Sequence, residues 1–244
     1  MTVAKRNTED LTRDIEKLLS MREELDPMLA MYIDTDGPFG PSVKHPLVFS
    51  IVHAPAMNAF VNAQFKAKKE ALARAKDKGD WHTCVWLYER PYRLDAFLGI
   101  SWHLEGPQYW DLLGSVWSDT ENSWQSMDGW REAFTADREG REMMSNEEVR
   151  CVFDLLPEDG GLAPMTRIYR GYRFDDALQG FSWTLDKARA KWFARRQDDH
   201  PSPKVASGLV AREHVIAYIT GRDEAEIVTL FEHVVELEIQ EVGR

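Results

Sequence analysis

Apolar positions recur at helical spacing through the first two thirds of the chain and at shorter, strand-like spacing in the last third. From Thr8 onward, Leu11, Ile15, Leu18, Leu19 and Leu25 fall on one face of a helix with charged residues elsewhere. Asp26 followed by Pro27 predicts an N-cap and a proline at the first position of a short second helix carrying Met28, Leu29 and Tyr32. Residues 34–41 hold two glycines and two prolines and read as a loop. The apolar run at 47–53 is short, and its pattern suits helix and strand equally. Residues 55–78 predict a long helix with Met57, Phe60, Val61, Phe65 and Leu72 inward; its basic second half, from Lys66, reads as a solvated face.

Seven of the nine tryptophans lie between Trp81 and Trp130. Trp110, Trp117 and Trp124 would share one face of a continuous helix, but Ser118-Asp119-Thr120-Glu121 has the form of a capping box and predicts two helices. A large aromatic core is the first expectation for this region, and a pocket that stacks a base or a partner's side chain is the alternative. A second capping box, Ser145-Asn146-Glu147-Glu148, opens a helix through Val149, Val152, Leu155 and Leu156. The Pro- and Gly-bearing stretch 157–164 then predicts a boundary between an α-helical region, 1–157, and a C-terminal unit, 158–244.

In the C-terminal unit, Thr166 to Arg170 reads as a strand ending at a Gly171 turn, with Ile168 on one face and Arg170 reachable at the end. Ser182 and Thr184, two apart, share a face of the next strand. Asp186 caps a helix running to Arg196, with Ala188, Trp192 and Phe193 inward. A polar loop at 197–204 leads to strands at 205–210, 215–219, 224–230 and 234–239. The last strand but one carries Glu224 and Glu226 on one face and Ile227 on the other. The fold class is therefore α+β, an α-helical region followed by a small sheet of about six strands around one main helix.

Composition narrows the partners. The net charge is −11, of which residues 165–244 contribute −1, from 12 Lys/Arg against 13 Asp/Glu. That argues against a surface made for nucleic acid throughout. Residues 167–196 nevertheless hold eight basic and three acidic residues, a local field suited to a pyrophosphate or a polyanionic acceptor. The simpler reading of Lys187, Arg189 and Lys191 is a solvated helix face. No apolar run approaches membrane-spanning length and the N-terminus lacks a secretory segment, so a cytoplasmic protein with no membrane partner is expected. Cys84 and Cys151 suggest reduced thiols. His82 and Cys84 have no companion pair at zinc spacing, and no metal is expected. No glycine-rich Rossmann or phosphate-loop pattern is present.

The ordered set of Arg170-Gly171, Ser182-Trp183-Thr184 and Glu224-Ala225-Glu226 resembles the arginine–serine–glutamate class of ADP-ribosyltransferases. The resemblance covers about the last third of the chain, and Ser-Trp-Thr stands where the family usually has Ser-Thr-Ser. It implies a split-sheet catalytic domain with NAD as co-substrate. Glu226 would be the catalytic carboxylate that stabilises an oxocarbenium-like ribose, and Glu224 would orient or deprotonate the acceptor. Arg170 would clamp an NAD phosphate, Ser182 would hold Glu226 in place, and Gly171, Tyr172 and Thr184 would border the nucleotide. The implied activity is mono-ADP-ribosylation of an intracellular protein arginine or of RNA or DNA. A toxin, a toxin–antitoxin or a phage-defence setting would add an antitoxin or inhibitor protein as partner. Two other readings stand beside it: an NAD glycohydrolase, and an interaction protein that keeps the fold without activity. In the last, Glu224 and Glu226 would be exposed charges guarding an edge strand, and Arg170 would pair with an acidic loop residue such as Asp175.

Overall fold

Asp26 does cap the short helix that follows it, the first among the described residues, α1 (Pro27–Ala30), its carboxylate accepting the Met28 N–H at 2.9 Å. The computed structural model describes residues 23–50, 52–144, 165–196, 202–221 and 224–243. The expected helix from Thr8, the Ser145 capping box and the 157–164 boundary lie outside them. The chain divides into two compact units, Met1–Ala96 and Phe97–Arg244. The helices that carry Trp110, Trp117 and Trp130 thus share a unit with the C-terminal sheet, while Trp81 and Trp86 belong to the first unit.

The first unit is not all helix. Strands β1 (Ile33–Asp34), β2 (Ser42–His45) and β3 (Val48–Ser50) form a three-stranded antiparallel sheet. Strands this short cannot display a period of two: β1 and β2 left no readable pattern, and β3 lies in the 47–53 run whose pattern suits helix and strand equally. After a 3-10 turn at Pro55–Met57 comes α2 (Asn58–Asp77). Its Val61 and Phe65 pack with Leu29, Val43, Leu47 and Val48. Phe60 lies off that i, i+4 stripe and is 68% exposed, not inward as expected. Helix α3 (Trp81–Trp86) is capped by Asp80, and α4 (Arg93–Ile100) crosses into the second unit.

In the second unit α5 (Gly106–Asp119) buries Trp110 and Trp117 on one face. The break predicted before Trp124 occurs, but later and by another device. Ser118 is still helical, and the chain turns extended at Thr120, whose hydroxyl bonds back to the Val116 carbonyl at 2.8 Å. Trp124 is left in a 3-10 turn, exposed, ahead of α6 (Met127–Phe134).

The six expected C-terminal strands all form. They are β4 (Met165–Tyr172), β5 (Ser182–Thr184), β6 (Lys204–Ala211), β7 (Val215–Ile219), β8 (Glu226–Thr229) and β9 (Val235–Glu241), in the antiparallel order β7-β8-β5-β4-β6-β9. The architecture is α+β. Ile168, Tyr172, Trp183, Ala206, Val210, Tyr218 and Ile227 make a core from one face of the sheet. Helix α7 (Lys187–Arg195) lies against the sheet through Ala190 and Ala194, which cluster with Tyr169, Val205 and Val242. The inward residues are therefore alanines, not the expected Ala188 and Trp192. Both of those are exposed: Ala188 lies off the Ala190–Ala194 stripe, and Trp192 is too large for the close approach of the helix.

Candidate active site

The sheet holds β4 unequally on its two sides. Toward β6 it is paired from Met165–Ala211 to Tyr172–Lys204, whereas toward β5 the register is Tyr169–Thr184. Beyond that pair Arg170 bridges the gap. Its Nε donates to the Ala177 carbonyl at 2.8 Å and its Nη1 donates to the Ser182 carbonyl. Gly180 makes room for it, since a Cβ there would collide with the guanidinium. Burial of the guanidinium pushes its pKa down to about 10, and the nearby Glu226 charge acts in the opposite direction. Arg170 is therefore half-buried inside β4, which continues to Tyr172, and does not stand at the strand's end. Nor does it pair with Asp175, whose carboxylate takes Lys204 Nζ at 2.8 Å.

Gly171 is not a turn residue. It sits inside β4, where a Cβ would strike the Ala190 carbonyl and come within 2.7 Å of the Ala194 nitrogen. Its job is close packing of α7. Tyr172 is buried in the core cluster of the sheet, and burial raises its hydroxyl pKa, with Lys204 opposing.

Thr184 has a definite task. It is the cross-strand partner of Glu226. Its hydroxyl donates to the Glu224 carbonyl at 2.5 Å and accepts the Asp186 N–H at 3.0 Å. Just beyond it, the Leu185 N–H donates to the Ala225 carbonyl at 3.0 Å. The approach to β8 is thus held by Thr184 and by the backbone after it. Ser182 contributes its carbonyl to Arg170 and pairs with Val228.

The Glu-x-Glu pair departs from expectation. Ala225 has φ +43°, in the left-handed region, so the chain bends between the two glutamates and β8 begins only at Glu226. Glu224 precedes the strand, half-buried, and period two does not apply. Glu226 is 4% exposed, on a strand flanked by β5 and β7, so neither residue guards an edge. One carboxylate oxygen, Oε1, accepts the indole N–H of Trp117 at 3.2 Å.

Trp117 is the site residue that sequence reasoning missed. It comes from α5, 109 positions away, and no local pattern links the two. Its ring meets Trp130 edge-on at 4.8 Å and Phe134 at 5.2 Å, and Phe134 in turn meets Phe181 at 5.4 Å. The tryptophan cluster does form a core, as expected, and one member of it reaches the candidate carboxylate.

Among the described residues no group of three His, Cys, Asp or Glu could hold a metal ion, and no helix is long and apolar enough to cross a membrane. Comparisons with protein-family models, with curated proteins and with solved structures found no match for this chain.

Proposed function

We propose that the Phe97–Arg244 unit is an NAD-dependent mono-ADP-ribosyltransferase acting on a macromolecular acceptor. The observation that carries this is the meeting of three motifs distant in sequence. The Arg170 guanidinium holds the Ser182 strand end and is electrostatically coupled to Glu226, and Thr184 lies directly across from Glu226. In this reading the C1′–N bond of NAD breaks and nicotinamide leaves with the electron pair. The Glu226 carboxylate stabilises the positive charge left on the ribose. The acceptor's nucleophile then bonds to C1′, and its proton passes to Glu224. Arg170 orders the split between β4 and β5, and its positive charge favours the ionised form of Glu226.

The test is incubation with labelled NAD, cell protein and cell RNA, using wild type, Glu226→Gln and Glu224→Gln. Glu226→Gln should lose both transfer and NAD hydrolysis by about 10²–10³-fold, the usual cost of one well-aimed electrostatic stabiliser. Glu224→Gln should lose transfer while slow hydrolysis survives, because water needs less orientation than a macromolecular nucleophile. Equal rates in all three proteins would refute the assignment. Free ADP-ribose as the sole product would make the protein a glycohydrolase.

One observation favours the reading as a binding protein without activity. Glu226 is almost wholly enclosed, and two guanidinium nitrogens of Arg170 are committed to backbone carbonyls. Absence of any NAD cleavage by wild type would select it.

A further inference from the structure

We infer that Trp117 is a positioning residue for Glu226, its indole N–H fixing the direction in which the carboxylate faces. The consequence for rate rests on the transferase reading above; the geometry does not.

An indole has one donor and no acceptor, so the direction of this hydrogen bond is unambiguous. The donor cannot swing away, because Trp130 and Phe134 hold the ring from its sides. The helix that carries it is itself pinned. Tyr109 donates its hydroxyl to the Ala133 carbonyl at 2.8 Å, and Trp110 donates its N–H to the Arg138 carbonyl at 3.1 Å. Both partners of the Trp117–Glu226 bond are buried, where a hydrogen bond to a charged group is strong and rotation of the carboxylate is costly to free. The groups around Glu226 include Trp117 from α5, Thr184 across the strand pair on β5 and Ile219 across the pair on β7, and the charge of Arg170 on β4 is near enough to act on it. Of these, Arg170 supplies charge and Trp117 supplies direction. The simpler account makes Trp117 a core residue whose N–H happened to need a partner. That account requires a loss of stability on substitution and nothing else.

Trp117→Phe keeps the ring and deletes the donor. Trp110→Phe does the same on the same helix, but removes a bond to a backbone carbonyl and not to a carboxylate. Both should lower the melting temperature. Only Trp117→Phe should lower kcat for NAD cleavage, by about 10- to 100-fold, the range of a hydrogen bond to a charged group, with KM for NAD little changed. The acid limb of its pH–rate profile should also move up by about one unit, because a donor to the carboxylate favours the charged form. If the two variants share one profile, Trp117 is a core residue only and the inference fails.

If wild type cleaves no NAD, the transferase reading fails first. The positioning role is then read without activity, from the ¹³C carboxyl titration of Glu226, assigned by its loss in Glu226→Gln. A midpoint displaced upward in Trp117→Phe alone supports it, and an unmoved midpoint overturns it. Should Trp117→Phe not fold, the wild-type Trp117 indole N–H resonance serves in its place. It must titrate with the Glu226 midpoint, and a resonance indifferent to that carboxylate overturns the inference.

Discussion

Gly171→Ala and Gly99→Ala are the same chemical change, and they should move stability in opposite directions. An alanine methyl reduces the freedom of the unfolded chain wherever the native backbone accepts it, which stabilises by roughly 0.4–1 kcal/mol. At Gly99, in α4, an added Cβ meets nothing within 4 Å, so that gain should appear undiluted. At Gly171 the same gain meets a collision with backbone. The Cβ runs into the Ala190 carbonyl and approaches the Ala194 nitrogen to 2.7 Å, and neither is the tip of a flexible side chain. Helix α7 would have to lift from β4 by on the order of 1 Å, opening contacts at Tyr169 and Val205, and overpacking of this kind costs roughly 1–3 kcal/mol. The net should be a loss of about 1–2 kcal/mol. At about 2–4 °C per kcal/mol for a domain of this size, that is a fall of about 2–8 °C in Tm. Thermal unfolding followed by circular dichroism reads both variants. Because Arg170 is the next residue along β4, the displaced strand should also weaken NAD cleavage in Gly171→Ala and leave it intact in Gly99→Ala. A neutral or stabilised Gly171→Ala would refute the packing argument.

Two further outcomes are expected. His45 Nδ1 accepts the Leu47 N–H at 3.0 Å between the rings of Tyr32 and Phe65, and burial chiefly holds its pKa below the usual value, against Asp26 and together with Lys69. The unfolded chain therefore takes up the proton first, so this contribution to stability is complete above about pH 6.5 and is lost as pH falls through the folded value. His45→Asn keeps an acceptor without the titration, and melts at pH 7 and pH 5 should show a smaller acid-induced drop than in wild type. A fragment of residues 158–244 should fail to fold, because Trp117 and Phe134, which pack against Phe181, would be missing; a cooperative melt of that fragment would contradict this.

The sheet of the second unit was legible because its strands carry enough β-branched and aromatic residues to declare themselves, and 215–219 agrees residue for residue with β7. The sheet of the first unit was not, since strands of two to four residues hold no readable period. The inward face of α7 was misread for a different reason. Pattern reading places the largest apolar side chains inside, and here Gly171 brings the helix so near that only Ala190 and Ala194 fit, leaving Trp192 52% exposed. Gly171 itself reads as a turn because glycine signals a turn and a close contact equally well in sequence.

The candidate site was legible as a set of residue types but not as a geometry. Sequence named Arg170, Ser182, Thr184 and Glu226, yet it put the arginine at an accessible end and the glutamates on one continuous strand face. The first error arises because charge in a sequence reads as exposure, and the second because nothing in the sequence announces the left-handed Ala225 that bends the chain between the glutamates. A strand in the interior of this sheet, built for stability alone, would carry an apolar residue at each inward position, as β8 does at Ile227 and Val228. Exchanging a buried charge and its partner for well-packed apolar groups is often neutral or stabilising, so the coupling of Arg170 to Glu226 is a poor device for holding the fold together. The Glu226 carboxylate keeps its desolvation cost even with Trp117 donating to it and Arg170 nearby. A buried carboxylate given a fixed donor, a coupled cation and a threonine across the strand is more than packing requires, and it is what electrostatic stabilisation of a cation at that spot would need. That excess is the argument behind the transferase proposal, and NAD cleavage by wild type is what separates it from the inert binding protein.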